Sequence, residues 1–311
     1  MGNALLTGLS GLLAAERAIA TTSHNIANAN TEGYSRQSVT QVTRLADQSG
    51  SIFDGTGVRT LSIQRVHDSY LEAQLQSVTS EHSRVDTLSQ LSNRINSLFI
   101  EDNSGLNSAQ MDFFNALEDA ANNPHAQAPA EHVIAAADEL VSRFNFVDGQ
   151  LASLQSQVNF DIQNDLTQIN DLSANIHEIN KQIAMVSSAN TQANPPSDLM
   201  DQRDALLQQL ATYVNVTTLP RDGYGIDVAM DNGVPLVTLA GPSTLQSITS
   251  PSDPDKLSFI ISTNNGDRLV SEPTGGSLGA MLEFGRDALD DTRAKLGQLA
   301  AVMAYSVNDM Y

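Results

Sequence analysis

Gly275-Gly276-Ser277-Leu278-Gly279 has the spacing of a serine-hydrolase nucleophile elbow, where a serine on a tight strand-to-helix turn attacks an acyl carbon. That chemistry needs a histidine base, which follows the serine in the hydrolase order, and the last histidine here is His177. Glu272-Pro273-Thr274 also makes a poor buried strand ahead of the serine. Ser277 therefore reads as a turn residue near the start of a helix. The six histidines give no metal signature. His177-Glu178 lacks a second histidine at helical spacing, and His125 and His132 straddle a proline loop. Asp222, Asp227, Asp231, Asp253 and Asp255 do not reproduce a calcium loop and read as turn formers. Gly223-Tyr224-Gly225 has no third glycine at the phosphate-loop position. No catalytic, cofactor-binding or metal-binding residues are expected, and no cofactor.

Composition narrows the field in the same direction. The 311 residues are 41% apolar and 17% charged, enough to bury a core and unlike a disordered chain. Aromatics are few at 5%, which suits helices built from Leu, Ile, Val and Ala. The net charge of −20 is uneven: residues 1–80 hold five basic and six acidic side chains, and the excess of acids lies beyond them. A phosphate backbone needs a basic stripe, so nucleic acid is not an expected partner. Cysteine is absent, which removes disulfides, thiolate nucleophiles and Cys-based zinc sites. No apolar run approaches the roughly 20 residues of a membrane helix, so membrane insertion is not expected. A signal peptide is rejected too, because no Lys or Arg precedes the apolar part and Glu16 and Arg17 fall near the would-be cleavage site.

The elements that would position any site begin with an N-terminal helix. Leu5, Leu9, Leu12, Ile19 and Ile26 fall on a 4-3 spacing, the stripe of a helix that packs on another helix. No helical partner for that stripe is evident elsewhere, so it reads as a subunit-packing surface. Gly8 and Gly11 weaken the helix by roughly 1 kcal/mol each relative to Ala. With little propensity and no burial, residues 1 to about 30 are expected to be mobile in the monomer and helical only on assembly. The helix must stop in the string Ser23-His24-Asn25-Ile26-Ala27-Asn28-Ala29-Asn30-Thr31-Glu32-Gly33-Tyr34-Ser35-Arg36-Gln37, where Asn and Gly tolerate left-handed backbone.

Beyond it, 38–43 and 58–63 alternate as a β-hairpin joined by a long loop around Asp54-Gly55-Thr56-Gly57. A long helix should start near Asp68 on the seam Leu71, Leu75, Val78, Val85, Leu88, Leu91, Ile95 and Leu98, and end at Asn103-Ser104-Gly105. A second covers 108–121, and a third starts near Pro129. The third carries Leu151, Leu154, Val158, Ile162, Ile169, Leu172, Ile176, Ile179, Ile183 and Val186, the steps of a left-handed coiled coil. These seams are expected to form the intramolecular core. Asn194-Pro195-Pro196-Ser197 turns the chain into a helix opening Asp198-Leu199-Met200-Asp201. From 213 to 270 the period is two, with Asp231-Asn232-Gly233 as a hairpin turn and Pro235 at a strand start or edge. Helical spacing resumes near Ser277 and runs through Leu282, Leu289, Leu296, Leu299, Met303 and Met310. The expected fold is mainly α. It is an elongated antiparallel coiled-coil rod with an N-terminal β-hairpin and a small inserted β domain. Its segments are a helix and Asn-rich turn (1–36), a hairpin (37–67), a rod (68–212), a β domain (213–274) and a return helix (275–311).

The Asn-rich string, ending Tyr34-Ser35-Arg36-Gln37, resembles the signature of the bacterial flagellar axial proteins, the rod, hook and hook-associated family. Gly55-Thr56-Gly57-Val58 leading to Arg65-Val66-His67-Asp68-Ser69-Tyr70-Leu71 is similar to that family's approach to its first long helix. Asp198-Leu199-Met200-Asp201-Gln202-Arg203-Asp204, and Gly275-Gly276-Ser277-Leu278-Gly279 with Met281-Leu282-Glu283-Phe284, resemble its hook-associated branch. The resemblance implies a secreted, non-enzymatic structural protein of the flagellum, joining hook to filament. Asn25, Asn28, Thr31, Gly33 and Tyr34 would form the turn that aims the first helix into the filament core. Partners implied are copies of itself, the hook protein, the next hook-associated protein, and the flagellar export apparatus with a chaperone. The family's terminal partner helix, and with it the chaperone site, is not in this sequence, so the chain is expected to be truncated at its C-terminus. A rod or hook subunit is the alternative, disfavoured by the long heptad helices. From another class, a secreted enzyme with a coiled-coil stalk would have Ser277 as its nucleophile.

Overall fold

The computed structural model describes residues 2–45, 47–49, 52–100, 105–189, 195–251, 253–263 and 266–309. Helix α1 (Gly2–Ala27) leads through the Asn-rich turn to strand β1 (Gln37–Thr43). β1 pairs antiparallel with β4 (Val58–Arg65), Gln37 opposite Arg65, with a register shift at Thr40/Gln41. The long loop expected between them carries a small hairpin of its own, β2 (Asp47–Ser49) with β3 (Ile52–Asp54). Three short residues per strand are too few to show a period-two signal.

Helix α2 (Ser69–Ile100) opens where Asp68 Oδ1 accepts from the backbone N–H groups of Tyr70 and Leu71, at 3.0 and 3.3 Å. That bond satisfies donors every helix start leaves open. Asn103 and Ser104 of the expected stop lie outside the described residues, and α3 (Leu106–Asn122) follows Gly105. Helix α4 (Gln127–Ala189) is one unbroken run of 63 residues with Pro129 in its first turn, where a missing N–H costs nothing. Leu151, Val158, Ile162, Ile169, Leu172, Ile176 and Ile183 of its seam are buried, while Val186 at its end is exposed.

The α2 seam behaves differently from expectation. Leu91 and Ile95 are buried, but Leu71, Leu75, Val78 and Val85 are exposed, and Gln76 and Ser80 are buried in their place. Heptad spacing identifies a stripe that could pack and does not identify which chain supplies the partner. The first half of that seam is therefore not intramolecular core.

Helix α5 (Ser197–Tyr213) starts directly after Pro195-Pro196. The strand region forms two sheets. One has the order β5 (Val216–Pro220), β6 (Ile226–Met230), β7 (Pro235–Thr238), β8 (Gly241–Pro242), all antiparallel. Gly233, at φ +79°, makes the β6–β7 turn, and Pro235 opens β7 as expected. The other sheet orders β9 (Thr244–Ser250), β10 (Asp253–Thr263) and β11 (Gly266–Val270) as β11-β10-β9. Helix α6 (Gly276–Glu283) then runs through a π-helical turn, Phe284–Leu289, into α7 (Asp290–Asp309). Phe284 and Leu289 are both buried. Five residues apart they would diverge on an α-helix, and the wider turn brings both inward.

By contact the chain forms two compact units, Met1–Thr79 with Gln168–Leu245 and Ile261–Arg268, and Ser80–Thr167 with Gln246–Ile260 and Leu269–Tyr311. Among the described residues no helix is long and apolar enough to cross a membrane.

Candidate assembly surface and the turn that anchors it

Helix α1 has two unlike faces. Ser10, Ala14 and Thr21 are buried, and their side is small and polar. Ser10 Oγ donates to Thr7 O at 2.7 Å and accepts from Val58 N at 3.1 Å. Gln41 Nε2 donates to Ala14 O at 3.2 Å. Gly57, at φ +96°, lies so close that a Cβ there would stand 2.1 Å from Ser10 Oγ. The β1–β4 hairpin can therefore sit against α1 only because both surfaces lack bulk. The expectation that α1 gains nothing from burial is corrected on this point: the hairpin is its internal partner, reached through small residues that carry no apolar signal.

About 180° around the helix, by its 100° per residue, lies the predicted stripe. Leu5, Leu9, Leu12, Ile19 and Ile26 are between 50% and 76% exposed, and Leu6 and Leu13 widen the patch. Large apolar side chains aligned on one exposed face mark an interaction surface.

The turn after α1 holds the helix end in place. Asn25 Oδ1 accepts from the Tyr34 hydroxyl at 2.7 Å and from Gln37 N at 2.9 Å, while its Nδ2 donates to Gln37 O at 2.9 Å. One amide thus bridges the last turn of α1 to the first residue of β1. Asn28 Nδ2 donates to His24 O at 3.1 Å, and Thr31 Oγ1 donates to Asn28 Oδ1 at 3.3 Å. Gly33, at φ +77°, reverses the backbone, and the His24 and Tyr34 rings meet edge-on at 5.5 Å. The five predicted turn residues Asn25, Asn28, Thr31, Gly33 and Tyr34 are brought together here.

The opening of α5 docks on this turn. Gln37 Nε2 donates to Asp198 Oδ1 at 3.0 Å, Ser35 N to Asp201 Oδ2 at 3.1 Å, and His24 Nε2 stands 3.4 Å from Asp198 Oδ1. Burial, then the Asp198 and Asp201 carboxylates, push the Tyr34 phenol above its ordinary value. Arg65, at the end of β4, bonds Asp201 at 2.7 Å and Asp204 at 2.6 Å with its guanidinium almost fully buried. Burial pulls its pKa down, but these two carboxylates outweigh it and hold Arg65 above the usual arginine value. Asp198, Asp201 and Asp204 sit three apart, which places all three on one face of α5. Sequence reasoning read the first two as helix-opening acids. That spacing, together with an arginine two residues past the expected strand, was the available signal for the network.

The Ser277 hydroxyl donates to the Asp165 carboxylate, not to an imidazole. Gly279 is explained by packing, since a Cβ there would stand 2.8 Å from the Thr274 carbonyl carbon. Asp227 pairs with Arg221.

Residues 92–311 match the family model for the flagellar hook-associated protein FlgK helical domain, and residues 5–34 match that for flagella basal body rod protein. The chain belongs to the FlgK hook-associated family. Among FlgK relatives it is 31% identical over 311 residues to flagellar hook-associated protein 1 of Salmonella typhimurium, covering 99% of this chain and 56% of that protein. It is 29% identical to the Escherichia coli K12 protein of the same name (100% and 57%) and 27% identical to that of Bacillus subtilis (90% and 59%). The solved flagellar hook junction protein FlgK of Burkholderia pseudomallei is similar with a TM-score of 0.67 and 28% identity, over 73% of this chain and 41% of that one. The chain thus spans a little over half the length of its curated FlgK relatives. The rod-protein match ends at Tyr34, the last residue of the Asn-rich turn motif.

Proposed function

We propose that this chain is a non-enzymatic structural component of the bacterial flagellum at the hook–filament junction. It assembles through the α1 stripe Leu5, Leu9, Leu12, Ile19 and Ile26, and the Asn25–Tyr34 turn sets the angle of that helix. The observation that carries this reading is the pairing of an exposed apolar face with a firmly anchored opposite face. A helix held by Ser10, Ala14 and the turn presents its leucines in a fixed direction, which preorganises them for a helical partner. The FlgK relatives and the hook junction neighbour support the location. Partners in this reading are copies of the chain, the hook protein and the next junction protein, reached after passage through the flagellar export apparatus with a chaperone. A rod or hook subunit shares the turn, as the 5–34 match suggests, but the 92–311 match favours the hook-associated branch.

Immunogold labelling of flagella from the native host tests the reading. Gold is expected as a narrow band at the distal end of the hook. Label spread along the hook, or confined to the basal rod, would transfer the chain to the alternative.

A further inference from the structure

A second cluster, continuous with the Arg65 network, gathers side chains that suit a metal ion. His67 Nδ1 lies 2.6 Å from Glu72 Oε1, and one donor atom each from His67, Glu72 and Asp204 fall within 4.8 Å of one another. They come from three places: the link after β4, the first turn of α2, and α5. All three line a cavity of about 580 Å³. Two guanidiniums, Arg65 and Arg203, are set among three carboxylates, Asp201, Asp204 and Glu72, and Arg221 and Asp222 line the same cavity. Arg203 divides its contacts between this cluster and the β5–β6 link. Its Nη1 donates to Tyr224 O at 2.7 Å and Asn180 Oδ1 at 3.3 Å, and its buried Nε has no hydrogen-bond partner. Asp204 gives Oδ2 to Arg65, and its Oδ1 stands 3.7 Å from Arg203 Nε.

We propose that His67 Nδ1, the Glu72 carboxylate and Asp204 Oδ1 bind a divalent transition cation of the Zn²⁺ class. One imidazole with two carboxylates suits Zn²⁺, Co²⁺ or Ni²⁺, whereas Ca²⁺ and Mg²⁺ favour all-oxygen shells. Bonds of about 2.0–2.1 Å set tetrahedral ligand atoms about 3.3 Å apart, so the His67–Glu72 pair at 2.6 Å must part slightly and the wider separations, up to 4.8 Å, must close by about 1 Å. The cation takes the place of the direct His67–Glu72 contact, and a water completes the shell. Arg65 stays on Asp204 Oδ2 and orients that carboxylate, the usual role of an outer partner. The ion ties the link and first turn of α2 to α5, the same helix that holds the Asn-rich turn. The competing reading is an ion-pair network with no affinity for metal.

Isothermal titration of the full, chelator-stripped chain with Zn²⁺ distinguishes the two. One ion per chain is expected, with visible d–d absorption when Co²⁺ is used, and a melting temperature raised by several degrees through ligand linkage. His67→Gln and Glu72→Gln should each weaken binding by about tenfold or more, while His177→Gln on α4 leaves it unchanged. Should either variant fold poorly, the wild-type NMR spectrum still decides, since Zn²⁺ must shift the His67 ring resonances ahead of the other five histidines. No saturable binding below about 1 mM Zn²⁺, wild-type affinity in both cluster variants, or a shift at another histidine first would each overturn the proposal.

Discussion

Two residues concentrate the local energetics. Asn25 serves three hydrogen bonds with one amide, to Tyr34 and to both backbone groups of Gln37. Truncation leaves polar groups of the turn without partners, so Asn25→Ala should destabilise by about 1–3 kcal/mol. A urea denaturation series reads this as a lower midpoint, with Leu9→Ala as the near-neutral control because Leu9 is exposed. Asp165 carries a pH prediction. Burial raises its carboxyl to about 6, with Asp161 adding to the shift, although the Ser277 hydroxyl opposes it. The folded chain therefore holds this proton more tightly than the unfolded chain, whose aspartates titrate near about 3.9. Its contribution is full below about pH 4 and is lost as pH rises through about 6. Asp165→Asn should flatten that part of the stability profile, measured as melting temperature at pH 4.5 and pH 7 in both proteins. At this scale the sequence was legible where a motif is contiguous, as in Asn25 to Tyr34. It was silent on partners 160 or more residues away, such as Asp198 and Asp201, because spacing within one helix says nothing of which distant backbone it meets.

At the scale of elements, heptad steps reported helices well and burial less well. The α4 seam is core along most of its length, whereas the start of the α2 seam faces outward despite similar steps of three and four. The difference makes a direct test. Ile169→Ala removes a fully buried side chain and should cost about 2–5 kcal/mol, while Leu71→Ala should be nearly neutral in the isolated chain. Urea midpoints of the two variants compare them, and equal losses would mean that Leu71 is covered. The β2–β3 hairpin and the π-turn at Phe284–Leu289 had no readable signal. Three-residue strands are shorter than a period can establish, and a single wide turn leaves the surrounding helical pattern intact. The packing of α1 on the hairpin was missed for a related reason. Ser10, Ala14 and Gly57 act by their small size, and small residues do not register as an apolar face.

For the whole molecule, the proposed assembly divides labour between the two sides of α1. The acidic excess beyond residue 80 suits solvated surface, and the near-balanced N-terminal quarter carries the exposed leucines and the polar turn. The exposed apolar spacing and the hydrogen-bonded turn could both be read from sequence, one as a near-regular periodicity and the other as a contiguous string, while subunit packing through the stripe belongs to the proposal. The most direct measurement uses the native host with Leu9→Asp and Ile19→Asp introduced together into the chromosomal gene. Both positions are exposed, so folding is expected to be retained, and circular dichroism of the purified variant should match wild type. The account predicts that the exported variant fails to occupy the hook–filament junction by electron microscopy and that swimming is lost. Intact junctions and normal swimming with both substitutions in place would contradict it.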